Sequence, residues 1–173
     1  GMTSATLQRL SERTPGYDVT MLGWNYRMDE FRAAIGLVQL GSLQDWNRHR
    51  ASLDERYRAV IAARCPEAAV AFAHGRRSSA HHFLPVLLPT DVNRELVMGW
   101  MRDRGVQTTV HYPPIHQLSF YRQLAPGTAL PNTEEFARRE LTLPLHQRMS
   151  EEDVETAVDA LAAGIRLARA RTQ

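Results

Sequence analysis

The sequence predicts an α+β fold: a long amino-terminal pair of helical segments, followed by a small and mostly antiparallel sheet of about three strands with helices packed on it. Two observations predict this class. Apolar residues recur at helical spacing over long stretches near both ends of the chain. Between those stretches lie short apolar runs bounded by proline and glycine, which are typical of strands. The 173 residues fit one domain, or one domain with an appendage.

The amino-terminal part of the chain predicts an arm and two helical segments. The first segment is predicted to begin near Met28 or Asp29 and to be interrupted, or merely bent, at Gly41-Ser42. The second stops before Pro66, because the residue that precedes a proline is disfavoured in the α region. The predicted domains are a flexible arm at residues 1–21, interface helices at 22–64 and a small carboxy-terminal α+β domain at 65–173.

The first strand and helix of the small domain are predicted by a short apolar run and the polar residues after it. The run from His82 to Pro89 predicts a strand. Pro85 within that run favours an edge position, because proline cannot donate a hydrogen bond to a ladder. Thr90 or Asp91 is predicted to cap the helix that follows.

The remaining elements follow from alternation, capping and a second apolar stripe. Alternating residues from Val106 to Tyr112 predict a second strand. A short helix is predicted to begin at Asn132 or Thr133, and the segment from Leu141 to Leu145 is a further brief apolar stretch. Two features predict the last helix. The first is a near-capping box of Ser150 with Asp153, and the second is a buried stripe of Val154, Val158, Leu161 and Ile165.

Composition excludes several classes of protein. No apolar run approaches the length of a membrane span. The single Cys65 excludes an internal disulfide and a cysteine-rich zinc site, so we expect a cytoplasmic location. The net charge is only +2 and the arginines are scattered, which argues against nucleic acid as a partner. All 21 basic residues are arginine, so this chain cannot form a lysine Schiff base.

Familiar catalytic motifs are missing from the sequence. There is no glycine-rich nucleotide-binding motif and no serine nucleophile elbow. His111 and His116 flank two prolines in HYPPIH, but no cysteine or carboxylate is placed to complete a metal site with them. Two interpretations of His111 stay open at this point. Its position at a strand end suits the lining of a cleft, and it equally suits a hydrogen-bonded histidine at a domain edge.

The segment GWNYR, residues 23–27, has the chemistry of an anion site. Gly23 permits a tight turn, Asn25 has a short amide, and Arg27 has a forked cation that suits phosphate or carboxylate. The adjacent helix start adds free N–H groups and a partial positive charge. The residues also allow a purely structural interpretation, in which Asn25 caps a turn and Arg27 pairs with Asp29 or Glu30.

The sequence resembles the DegT/DnrJ/EryC1/StrS family of sugar aminotransferases, which have the type I fold and use pyridoxal 5′-phosphate. The segment GWNYRMDEFRAAIGLVQL is similar to the family pattern G-Y-N-Y-R-M-x-E-x-x-A-A-x-G-x-x-Q-L. Two later segments continue the resemblance in register: GVQTTVHYPPIH resembles G-I-x-T-x-x-H-Y-x-P-x-H, and LTLPLHQRMSEEDV resembles L-x-L-P-x-H-x-x-M-x-x-x-D-V. The resemblance covers nearly the whole chain.

The resemblance implies roles for five residues. Asn25 would reach the cofactor phosphate of a neighbouring subunit, with Arg27 in the same cleft, so both are predicted to bind the cofactor. His111 and Tyr112 would line the substrate side of that cleft, with His116 close behind. No residue of this chain is predicted to be catalytic or to bind a metal.

The resemblance also implies that the chain is the carboxy-terminal portion of such an enzyme. Family members are roughly twice as long, and their large domain supplies the Schiff-base lysine. We therefore expect that this chain alone neither binds pyridoxal 5′-phosphate nor catalyses transamination. Its expected partners are further copies of itself or a lysine-bearing large-domain polypeptide. Three alternatives remain: a non-catalytic binding or dimerisation module, one half of a split aminotransferase, and a stand-alone small-molecule sensor.

Overall fold

The structure is a computed structural model that describes residues 20–24, 26, 28–72 and 79–171. The chain divides into two units, Gly1–Ser42 and Leu43–Gln173. The predicted arm lies outside the described residues, apart from residues 20 and 21. The first helix ends at Arg64, and the predicted boundary between helices and small domain at residues 64 and 65 stays a prediction.

The described residues form five α-helices and three strands, in the α+β class that the sequence predicts. The helices are α1 Glu30–Arg64, α2 Arg94–Arg102, α3 Ser119–Leu124, α4 Pro131–Arg139 and α5 Glu151–Ala170. The strands are β1 Ala69–Val70, β2 Leu84–Leu87 and β3 Glu140–Leu143. A 3₁₀ helix at Ile115–Gln117 precedes α3.

The three strands form an antiparallel sheet in the order β1-β2-β3. The prediction that Pro85 lies at a sheet edge is wrong, because β2 is the central strand. Pro85 lies opposite Thr142 of β3, while its carbonyl accepts a hydrogen bond from the Ala71 amide at 3.0 Å on the other side. On that side, Pro85 faces the end of β1, which is only two residues long. The missing N–H of Pro85 therefore interrupts no extended ladder of hydrogen bonds.

The strand predicted from Val106 to Tyr112 is reduced to a single bridge between Thr109 and Thr142. Both ends of the segment use their amides elsewhere. The Val106 amide donates to the Met101 carbonyl at 3.0 Å, and the His111 amide donates to a side chain on β3. Only the middle of the segment is left to pair with the sheet. The predicted alternation holds as far as Val110, because Val106, Thr108 and Val110 are less exposed than the residues between them. It fails at Tyr112, which is 69% exposed.

Helix α1 is continuous through Gly41-Ser42, so the predicted interruption is wrong, whereas the alternative of a bend there stays a prediction. A glycine costs a helix interior about 1 kcal/mol relative to alanine, which a 35-residue helix tolerates. At its start, the Asp29 carboxylate accepts a hydrogen bond from the Arg32 amide at 2.9 Å. This contact explains why the helix begins within two residues of its predicted position.

The helix caps agree with the sequence at α5 and differ at α2 and α4. Asn93 caps α2, with its side chain accepting from the Leu96 amide, so the prediction of Thr90 or Asp91 is wrong. Helix α4 begins at Pro131, slightly before the predicted start, because proline suits the first helical position. One polar stretch can contain several residues that are able to occupy the N-cap position. The direction in which the chain enters the helix decides which of them does so.

The core of the second unit joins the sheet to α1, α2 and α5. Helices α2 and α5 pack closely because Gly164 has no side chain: a Cβ built there would lie 3.2 Å from Val97 Cγ1. All four residues of β3 are buried. The predicted stripe of α5 is confirmed as fully buried, and its members are Val154, Val158, Leu161 and Ile165.

Replacing Ser150 with alanine should lower the free energy of unfolding by about 1 kcal/mol. The Ser150 hydroxyl accepts from the Asp153 amide at 3.2 Å, and the Asp153 carboxylate accepts from the Ser150 amide at 2.8 Å. The variant leaves one of these helix-terminal donors unpaired. Urea denaturation followed by circular dichroism measures the loss. Ser52→Ala, which removes an exposed hydroxyl within α1, is the control, and an equal loss in both variants would contradict the capping role.

Candidate functional site

A cavity of about 600 Å³ opens beside β3 in the second unit. It is bounded by the residues just before β2, the segment after α2, the end of β3 and the start of α5. Its polar lining includes three histidines, one arginine and one carboxylate: His82, His111, His146, Arg104 and Asp153. The cavity is thus rich in imidazoles and carries more basic than acidic groups.

His111 is attached to the sheet at two points. Its backbone amide donates to the Glu140 carboxylate at 3.0 Å. Its ring nitrogen Nδ1 lies 2.8 Å from Thr142 Oγ1 and 3.4 Å from Thr109 Oγ1. The predicted location of His111 in the lining of a cleft is therefore consistent with the structure, and the alternative of a hydrogen-bonded histidine at an edge holds as well. One residue satisfies both interpretations.

Aromatic rings fix the plane of the His111 imidazole. Phe83 stacks on it with ring centroids 4.8 Å apart and planes at 17°. Tyr112 meets it edge-on, at 4.7 Å and 87°. The Tyr112 side chain is 69% exposed, so it can reach solvent or a ligand beside His111. The structure thus brings together two of the three predicted substrate-binding residues.

The sequence did not single out the residues that hold His111. Glu140 and Thr142 lie two positions apart on β3 and are 1% and 4% exposed, so their side chains share one face of the strand. The available signal was the segment ELTL itself, in which two polar residues alternate with leucines beside an apolar run. A carboxylate in such a strand needs buried partners, and that requirement could have directed attention to Glu140.

His116 is not part of the cavity lining. It lies in the 3₁₀ helix, and its Nε2 is 2.9 Å from Glu134 Oε1 on α4. The same Glu134 oxygen accepts the Leu130 amide at 3.0 Å. The hydrogen bond from Leu130, together with a smaller contribution from His116, lowers the pKa of the Glu134 carboxyl. In this chain His116 therefore fastens the 3₁₀ helix to the start of α4.

Glu134→Gln should remove a pH-dependent part of the stability. Because the folded-state pKa of Glu134 lies below its usual value, its carboxylate stabilises the fold fully above a pH of about 4.3. This contribution is lost as the pH falls through the lower folded-state pKa. In urea denaturation between about pH 6 and pH 3, the difference between wild type and variant should therefore shrink on acidification.

Glu55→Gln is the matched control for that series. Glu55 is exposed on α1, and its carboxylate has no hydrogen bond or ion pair to any residue that the structure describes. A pH-dependent difference of the same size in this variant would show that Glu134 has no special role.

Two further features limit the chemistry that the described residues offer. Burial raises the pKa of the Cys65 thiol to about 11, so this cysteine is not a thiolate nucleophile at neutral pH. Among the described residues, no three histidine, cysteine, aspartate or glutamate side chains lie close enough to hold a metal ion. Within the same part of the chain, no helix is both long and apolar enough to cross a membrane.

The two predicted cofactor-binding residues, Asn25 and Arg27, lie outside the described residues. Their assignment to a phosphate site stays a prediction. The chain also has no lysine, so its residues do not fit the covalent attachment of pyridoxal 5′-phosphate.

Comparison with solved structures shows the same architecture in larger proteins. The aminotransferase TlmJ from Streptoalloteichus hindustanus is 30% identical, with a TM-score of 0.77, over 90% of this chain and 41% of that chain. DesI, solved in the presence of its TDP-sugar product, is 29% identical, with a TM-score of 0.78, over 87% of this chain and 39% of that chain.

A putative sugar aminotransferase from Streptococcus pneumoniae, solved in its PLP form, shares the fold at 24% identity. Its TM-score is 0.78, over 93% of this chain and 43% of that chain. This chain therefore spans about two fifths of the length of the structures that it matches.

The sequence also matches a family profile over most of its length. The match runs from residue 2 to residue 162 and includes the segments that contain His111, Tyr112 and the strand β3. The structural matches and this profile agree with the motifs read from the sequence. The chain belongs to the DegT/DnrJ/EryC1/StrS aminotransferase family.

Proposed function

We propose that this chain is the carboxy-terminal part of an aminotransferase that uses pyridoxal 5′-phosphate and transfers an amino group to a keto-sugar carried on a nucleotide. The observation that carries the proposal is family membership across residues 2–162 in a chain that contains no lysine. The motifs of the small domain are present, whereas the residue that would attach the cofactor must come from another polypeptide segment. The chain by itself is proposed to be inactive.

The substrate class is supported by the matched structures and by the cavity. DesI was solved with a TDP-sugar product. In the present chain, the cavity beside β3 offers imidazoles and a guanidinium, from His82, His111, His146 and Arg104. Such groups suit the hydroxyls of a sugar and the oxygens of a phosphate. We propose that His111 and Tyr112 contact the sugar and that Asn25 and Arg27 bind the cofactor phosphate.

A complementation assay tests this function. The full chain is incubated with pyridoxal 5′-phosphate, glutamate and a TDP-linked keto-sugar, alone or after co-expression with the lysine-bearing amino-terminal polypeptide of a family member. We expect amino-sugar product only from the pair. The control is the same pair with the lysine of the added polypeptide replaced by alanine, which should form no product.

The outcomes of the assay separate the parts of the proposal. Sustained turnover by the chain alone would contradict its proposed inactivity. An assembled pair that binds the cofactor but forms no product from keto-sugars would contradict the proposed substrate class. A pair that assembles without binding the cofactor would contradict the proposed role of this chain in completing the site.

A second candidate function, a dimerisation module without catalysis, is favoured by the exposed apolar side chains of α1. Phe31, Ile35 and Val38 recur at helical spacing and are 85%, 60% and 76% exposed. Exposed apolar patches of this kind are typical of interaction surfaces. We propose that this face binds a second copy of the chain or a large-domain polypeptide.

Light scattering coupled to size exclusion tests this association. The full chain should behave as a dimer or larger species, and Phe31→Ser with Val38→Ser should shift it toward the monomer. Leu124→Ser, which removes an exposed leucine from α3, is the control and should leave the mass unchanged. A strictly monomeric wild type would count against the dimerisation module.

A further inference from the structure

Glu140 is a buried carboxylate that is held by neutral donors. It lies on β3 with 1% of its surface exposed, and burying a charge is costly unless hydrogen bonds compensate it. The His111 amide donates to its Oε2 at 3.0 Å, and the Thr142 hydroxyl donates to its Oε1. No ion pair involves Glu140 within the described ranges of the chain.

The contacts of Thr142 set the direction of the hydrogen bonds that follow. Its hydroxyl has one hydrogen, which it donates to Glu140. The same oxygen lies 2.8 Å from His111 Nδ1, so it accepts a hydrogen bond there, and Nδ1 must be the donor. The Thr109 hydroxyl, at 3.4 Å from Nδ1, can accept from the same N–H. His111 therefore donates to Thr142, and Thr142 donates to Glu140.

A neutral imidazole carries only one ring hydrogen. With that hydrogen on Nδ1, the other nitrogen, Nε2, keeps its lone pair. Nε2 of His111 has no hydrogen-bond partner in the part of the chain that the structure describes, and His111 lines the cavity. The stacked ring of Phe83 and the perpendicular ring of Tyr112 keep the imidazole from turning freely.

We propose that Glu140 and Thr142 are positioning residues that hold His111 in the tautomer with Nδ1 protonated, so that Nε2 faces a ligand as a hydrogen-bond acceptor. A ligand group that meets this nitrogen is a donor, such as a sugar hydroxyl; this assignment of the ligand rests on the proposed function, whereas the tautomer does not. The Nδ1–H that donates to Thr142 thereby sets the orientation in which the ring meets that ligand group.

The test is the tautomer of His111 in the ligand-free full chain. Histidine is labelled with ¹⁵N, and long-range ¹H–¹⁵N spectra are recorded at about pH 8, above the ordinary histidine pKa of about 6.5. His111→Gln assigns the signals by their loss. In the wild type, Nδ1 should show the chemical shift of a protonated ring nitrogen and Nε2 that of an unprotonated one. A wild-type spectrum with the hydrogen on Nε2 would overturn the proposal.

Glu140→Gln should reverse the tautomer. The glutamine oxygen would accept the His111 amide, and its NH₂ group would then donate to the Thr142 hydroxyl. The hydroxyl has then lost the acceptor for its hydrogen, so we expect that hydrogen to turn toward Nδ1, which moves the imidazole hydrogen to Nε2. A role limited to packing predicts no such exchange, because glutamine has the same shape as glutamate. A variant that keeps Nδ1 protonated would contradict the proposed direction of the donors.

Substitutions of Thr142 supply an independent arm. Thr142→Val removes the acceptor and should give a mixture of tautomers, whereas Thr142→Ser keeps the hydroxyl and should restore the wild-type spectrum. Should the valine variant fail to fold, the wild-type, serine and Glu140→Gln spectra still decide the question. None of these readouts requires activity, so a failure here is distinguishable from a failure of the complementation assay.

Discussion

Replacing Tyr57 with alanine should lower the free energy of unfolding by about 3–5 kcal/mol, the range found for large aromatic side chains removed from a core. Tyr57 is 0% exposed on α1. Its hydroxyl donates to the Pro144 carbonyl at 2.9 Å, directly after β3 and in the wall of the cavity. The variant loses the packing of the ring and the donor for that carbonyl together.

Tyr57→Phe separates the two contributions. It keeps the ring and loses only the hydroxyl, so the expected loss is about 1 kcal/mol. Urea denaturation of both variants, followed by far-ultraviolet circular dichroism, gives the comparison. Equal losses in the two variants would show that the ring contributes nothing beyond its hydrogen bond, which contradicts its complete burial.

Burial also affects the ionisation of Tyr57. Removal from water, with a smaller contribution from the Asp153 charge, raises the pKa of the Tyr57 phenol above its usual value. The phenol therefore stays neutral and continues to donate to Pro144 throughout the neutral pH range. The folded-state pKa lies above the unfolded one, so this group favours unfolding only in alkali, once the pH exceeds the usual tyrosine pKa of about 10.

Leu161→Ala should lower the free energy of unfolding by about 2–5 kcal/mol. Leu161 is 0% exposed on α5. The close approach of α2 at Gly164, where a Cβ would lie 3.2 Å from Val97 Cγ1, leaves these two helices little room to move together and fill the cavity left by the lost methyl groups. The cost of a truncation rises when its surroundings cannot collapse.

Leu124→Ala is the matched control for Leu161→Ala. Leu124 has the same side chain but is 67% exposed on α3, so its truncation should change the free energy of unfolding by no more than about 0.5 kcal/mol. Denaturant unfolding at constant pH measures both. Equal effects of the two substitutions would mean that the packing of α5 does not dominate the stability of the second unit.

Much of the helical structure could be predicted from the sequence, because its signals are local. The box of Ser150 and Asp153 and the stripe from Val154 to Ile165 lie within one helix, and the structure confirms both. A helix end is decided by residues three or four positions apart. Local signals were not sufficient at α2, because several neighbouring polar residues can cap a helix. There Asn93, and not Thr90 or Asp91, provides the cap.

The candidate site could be predicted only in part. The family motifs pointed to His111 and Tyr112, and the structure places their rings in contact. They also placed His116 close behind these two; its imidazole lies 2.9 Å from Glu134 and is not in the cavity lining, and its role toward a substrate stays a prediction. A motif records which residues recur at a spacing, whereas the contacts of each side chain depend on elements that lie far away in the sequence.

The sequence by itself determined the α+β class, the family, the course of α5 and the lack of a lysine for covalent chemistry. Only the tertiary structure decided that Pro85 lies in the central strand and that Glu140 and Thr142 hold the imidazole of His111. The physical reason is the range of the interactions. Helix caps and apolar stripes join near neighbours, but the partners of His111 on β3 are about thirty residues away and meet it only when the sheet forms.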